Sequence, residues 1–133
     1  MNDSINRGIP EMDMESFADY IQRMIDQYHI KRIDISRSTG ISQYYLYKVL
    51  DGTRRTIQRD YVIAICCAIG MNVSETQHAL ELSNMESLDI NDPRDRLIIT
   101  SFEEGTTVYK LNDRLEKAGY PWLHVRRDMD EAA

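Results

Sequence analysis

Gln43, Tyr44, Tyr47 and Lys48 are the residues of this chain best equipped to contact another molecule. On a helix, at 100° per residue, they share one side, while Leu46, Val49 and Leu50 share the apolar side. The outward set combines an amide, two phenols and an ammonium. Such groups suit base edges and phosphates. Gln can bond to adenine N6 and N7, and Lys can donate to guanine O6 and N7. Tyr can lie on a thymine methyl while its hydroxyl reaches a phosphate. A good bidentate pair discriminates between bases by roughly 1–3 kcal/mol. An ordinary solvated face is the plainer reading, and two outward tyrosines beside an amide and a lysine fit it poorly. The pattern predicts a helix that reads the major groove of double-stranded DNA.

The net charge of −6 argues in the other direction, until its distribution is considered. Between residues 29 and 60, seven basic side chains face three acidic ones, a local excess of four positive charges. Residues 1–28 carry two basic against six acidic groups, and residues 61–133 carry seven against thirteen. Screening limits the reach of a charge to roughly 8–10 Å at physiological salt, so the local field decides phosphate binding. Arg54, Arg55 and Arg59 follow directly after the candidate helix, where a phosphate clamp that positions without reading sequence is expected.

Other chemistries lack support. There is no nucleophile and base paired by motif, no phosphate-cradling glycine loop and no paired-histidine motif, so no enzyme is expected. His29, His78 and His124 are scattered, and the adjacent Cys66 and Cys67 sit in an apolar helix. Neither a metal site, a cofactor nor a disulfide framework is expected. The longest apolar run, 61–69, is too short to span a bilayer, and the first residues lack the apolar core of a secretion signal. A cytoplasmic, nucleoid-associated protein is the expectation.

The elements that must position these residues are all helical, since apolar residues recur at helical spacing and no strand pattern appears. The expected helices are 14–29, 31–38, 42–51, 57–69, 74–83, 92–104 and 107–118. Phe17, Tyr20, Ile21, Met24, Ile25 and Tyr28 stripe the first. Gly40 closes the second through a left-handed turn, and Ser42 caps the third. Ser74 with Gln77 reads as a capping box for the fifth. Asp92-Pro93 opens the sixth, and Val108, Leu111 and Leu115 face inward on the seventh. Tyr45 sits at the edge of the apolar side, and packing on the first or second helix is expected of it. Residues 1–13 and 124–133 read as flexible tails, 14–84 as the DNA-binding domain and 85–123 as a C-terminal helical pair.

Residues 14 to about 83 resemble the helix-turn-helix domain of the Cro/λ-repressor (XRE) family. Ile35-Ser36 stands where that family usually has Leu-Ala, Gly40-Ile41-Ser42 matches its Gly-Val-Ser turn, and Leu46 takes the buried aliphatic position. Asp51-Gly52 matches its Asn-Gly stop and is followed by basic residues. The resemblance covers about half of the chain. It implies a five-helix λ-repressor-like domain, here with two further C-terminal helices. It also implies base reading by Gln43, Tyr44, Tyr47 and Lys48, and phosphate contacts from Arg32, Ser42, Asp51, Arg54 and Arg55. Two features depart from the pattern: Asp51 replaces a neutral Asn, and two tyrosines replace smaller polar residues. Readers of this type bind as two-fold dimers, so a homodimer is expected. The C-terminal helices, with Glu103, Glu104, Asp113 and Glu116 on an acidic side, would contribute to it or meet a protein partner. The alternative is a protein-interaction module, antitoxin-like or a signalling adaptor, that keeps the scaffold and presents the tyrosines to a protein.

Overall fold

The computed structural model describes residues 15–54 and 56–123. Among these residues the chain is all-α, with seven helices and no strand. They are α1 (Phe17–Tyr28), α2 (Arg32–Thr39), α3 (Gln43–Leu50), α4 (Arg59–Ile69), α5 (Val73–Leu82), α6 (Pro93–Glu103) and α7 (Val108–Lys117). The expected tails 1–13 and 124–133 lie outside the described residues, as does the start at residue 14 proposed for the first helix. No described helix is long and apolar enough to cross a membrane.

α4 is the centre of the packing. Tyr61 through Cys67 and Ile69 are all buried, and the helix touches α1, α2, α5 and α7. A helix apolar on every side has to be enclosed on every side. The two C-terminal helices complete that enclosure: α7 lies on α2 and α4, and α6 on α5. Ile98, Phe102, Leu111, Leu115 and Leu123 therefore join one apolar cluster with Ile21, Ile35, Leu46 and Ile65.

Several helix ends differ from expectation by a residue or two, and α5 shows why. Its cap is Asn72 with Glu75, not Ser74 with Gln77. Asn72 accepts the Glu75 N–H at 2.8 Å, and the Glu75 carboxylate accepts the Asn72 N–H at 3.0 Å. Gln77 is engaged elsewhere, donating to the Leu88 carbonyl at 2.9 Å and accepting the Leu88 N–H at 2.7 Å. Glu75 also takes the Tyr28 hydroxyl at 2.5 Å, and its backbone carbonyl takes the Tyr20 hydroxyl at 3.1 Å. α1 is thereby stitched to the start of α5. The Tyr28 phenol is pushed up to about 12 by the Glu75 bond and by burial, and Tyr20 to about 12 chiefly by burial.

A second tie joins α4 to α6 by two crossed ion pairs. Arg59 and Asp60 open α4, and Arg94 and Asp95 open α6. Arg59 binds Asp95 with both terminal nitrogens, at 2.8 and 3.3 Å, while Arg94 binds Asp60 at 3.1 and 3.3 Å. Arg59 also donates to the Glu86 and Ser87 carbonyls, and Arg94 to those of Pro121 and Trp122. Both pairs are largely shielded from water. In such places the extra hydrogen bonds are what offset the cost of desolvating the charges.

Candidate nucleic-acid interface

The segment from α2 to α3 turns within three residues. Gly40 takes φ 85°, a left-handed conformation open to glycine at little cost, and Ile41 is driven fully into the core. Two buried hydroxyls pin this turn. Ser36 donates to the Ile41 carbonyl at 2.5 Å, and Thr39 accepts the Ile41 N–H at 3.1 Å while donating to the Ile35 carbonyl at 2.7 Å. With Ile41 anchored, Ser42 caps α3 by accepting the Tyr45 N–H at 3.1 Å. The turn at Thr39-Gly40-Ile41 is the one expected from the sequence; the hydrogen bonds by which Ser36 and Thr39 pin it are the addition.

α3 buries Leu46, Val49 and Leu50. Gln43, Tyr44 and Tyr47 are exposed and Lys48 is half-exposed, so the four lie together on the side away from the core. Tyr44 keeps 71% of its surface and Tyr47 53%, far more than large aromatics usually retain in a folded domain. The Lys48 ammonium lies 5.5 Å from the Tyr44 ring centroid, a cation–π distance that tethers the two.

Beyond α3 the basic loop is built on an aromatic platform. The Arg54 N–H donates to the Lys48 carbonyl at 3.0 Å, fastening the loop to the end of the helix. The Arg54 guanidinium lies 4.6 Å from the Tyr45 ring centroid, and Tyr45 meets Tyr61 edge to face at 5.3 Å. Tyr45 thus meets α4 through Tyr61 and also carries Arg54. A stacked guanidinium still directs its N–H edge outward, where an anion can be met. The Asp51 carboxylate accepts the Thr53 N–H at 2.8 Å. Hydrogen bonds from Thr53 hold this carboxyl below its ordinary value, with the Lys48 charge adding to the effect.

The remaining candidates separate. Arg32 is exposed at the start of α2 and donates to the Gln22 side chain at 2.6 Å, which holds it against α1. Ser42 is half-buried, and its hydroxyl accepts the Tyr45 N–H as the cap of α3. Arg59 does not stand with the loop: its guanidinium is occupied by Asp95 and two carbonyls, so the expected phosphate contact gives way to the crossed ion pairs. Arg55 lies outside the described residues. On the expected acidic side, Glu104 pairs with Arg114 at 2.7 Å and Asp113 with Lys117 at 3.0 Å, while Glu116 accepts the Trp122 indole N–H at 2.8 Å. Among the described residues no group of three or more His, Cys, Asp or Glu could hold a metal ion.

No family model, no curated protein and no solved structure matches the chain.

Proposed function

We propose that the protein is a sequence-specific double-stranded DNA-binding transcription regulator of the Cro/λ-repressor (XRE) type, acting as a repressor, with α3 entering the major groove. One observation carries this reading. Gln43, Tyr44, Tyr47 and Lys48 form an outward polar and aromatic face on a short helix whose opposite side is wholly committed to the core. Gln43 and Tyr44 would read bases from the first turn of α3, and Tyr47 and Lys48 from the second. Arg32 and Arg54 would take phosphates on either side, with Arg55 adding charge to the loop.

In this reading α1–α5 make a λ-repressor-like domain and α6–α7 an extension that stiffens it and contributes to a homodimer. Tyr109 and Trp122, both exposed near α7, suit such a contact. A two-fold dimer would place its reading helices on half-sites about 34–36 Å apart. The bound duplex and a nucleoid-associated, cytoplasmic location follow from the same proposal, which assigns no enzymatic activity.

The test is selection of bound duplexes from a random pool. Enrichment of one motif with two related halves is the expected result. A second reading is favoured by the exposure of Tyr44 and Tyr47, since tyrosine is enriched where proteins bind proteins. It makes the same face a protein-docking surface. Fluorescence anisotropy at low salt separates the two: duplex binding no stronger than that of an acidic control protein would favour docking.

A further inference from the structure

A cleft of about 220 Å3 opens where the C-terminal pair leans on the end of the reading unit. Its walls come from the last turn of α2, the C-terminal end of α4 and the turn between α6 and α7. Although 29% of the chain is charged, none of the ten residues lining the cleft carries a charge. Ala68, Met71, Phe102 and Val108 supply apolar wall.

Each polar side chain that borders the cleft has a backbone partner. Ser38 donates to the Asp34 carbonyl at 2.5 Å, Cys67 to the Thr106 carbonyl at 3.4 Å, and Thr106 to the Ser101 carbonyl at 3.1 Å. The Thr107 hydroxyl accepts the Lys110 N–H as the cap of α7. Burial pushes the Cys67 thiol up to about 12, so it stays neutral and weakly nucleophilic. With no charge in the lining, an ionised ligand would lose its water without meeting a counter-charge.

We propose that this cleft binds a small, uncharged apolar molecule of one or two fused rings. The volume permits that size: an enclosed apolar cavity of about 150 Å3 takes benzene, and this cleft, open to solvent on one side, is larger. The occupant would wedge α2 against the turn before α7, at the junction between the reading unit and its extension. The inference does not depend on DNA binding.

Indole and toluene are suitable probes, with benzoate as a charged counterpart, and the full chain is titrated by NMR and thermal denaturation. Indole should bind saturably with a Kd of about 1 mM or tighter, shift amides around Ser38, Gly70 and Thr106, and raise Tm with concentration. Ala68→Leu should weaken binding at least tenfold by filling the space. Ser38→Leu, at an exposed position, should do the same and decides the matter if the first variant fails to fold. The proposal is overturned if neither ring binds saturably, if benzoate binds as well as indole, or if a folded variant at either position binds indole as tightly as the natural chain.

Discussion

Arg54 and Asp51 lie three residues apart and should act on a bound phosphate in opposite senses. The Arg54 guanidinium lies over the Tyr45 ring, whereas the Asp51 carboxylate, whose charged form the Thr53 hydrogen bonds favour, would repel the same anion. Arg54→Ala should weaken binding to all duplexes alike and reduce the slope of log affinity against log salt by about one. Asp51→Asn, which keeps an oxygen for the Thr53 N–H, should tighten binding to all duplexes alike. Titration against two unrelated duplexes over a salt series checks both; an effect confined to one sequence would remove the phosphate role. These partners were legible to different degrees. The outward set on α3 follows from local periodicity alone, so Gln43, Tyr44, Tyr47 and Lys48 could be grouped from the sequence. The contacts of Tyr45 with Tyr61 and of Arg59 with Asp95 join residues far apart in the chain, and no local pattern announces them.

At the scale of elements, the fold depends on ties between helix ends. The crossed pairs of Arg59 with Asp95 and Asp60 with Arg94 fasten α6 to the start of α4. Asp95→Ala would leave the shielded Arg59 without its carboxylate and the Asp89 N–H without its acceptor. A loss of about 2–4 kcal/mol of stability in urea titration is expected. A loss below about 0.5 kcal/mol would mean that the pair is solvated in practice. The stitch from α1 to α5 has a pH signature. Tyr20 and Tyr28 have folded values raised from 10.0 to about 12. A raised value means that the protonated form is favoured by folding, so this contribution is complete below pH 10 and is lost as pH climbs through 12. Stability should fall across that window, and Tyr28→Phe should flatten the fall. Capping explains why α5 was misplaced in sequence. Asn72 with Glu75 and Ser74 with Gln77 both satisfy the same local pattern, and the choice is made by the distant partners Tyr28 and Leu88.

Across the whole molecule, the apolar cluster runs without a break from Ile21 and Leu46 through α4 to Leu111 and Leu123. The all-helical class was readable because every apolar stripe keeps the helical period. The stripe of Val108, Leu111 and Leu115 shows that α7 is buried but not that α2 and α4 cover it. Because the C-terminal pair shares this core, the chain should unfold in one transition, with near-ultraviolet signal from Trp122 and far-ultraviolet helicity coinciding; two separated transitions would make 85–123 an independent unit. A rigid base of this kind is what a short reading helix requires if its side chains are to meet base edges. The most direct measurement is the motif selected from random duplexes by the natural chain and by a variant carrying Gln43→Ala and Lys48→Ala. Loss of preference at particular positions, with non-specific affinity largely retained, is expected. An unchanged motif with undiminished preference would show that α3 does not read the duplex.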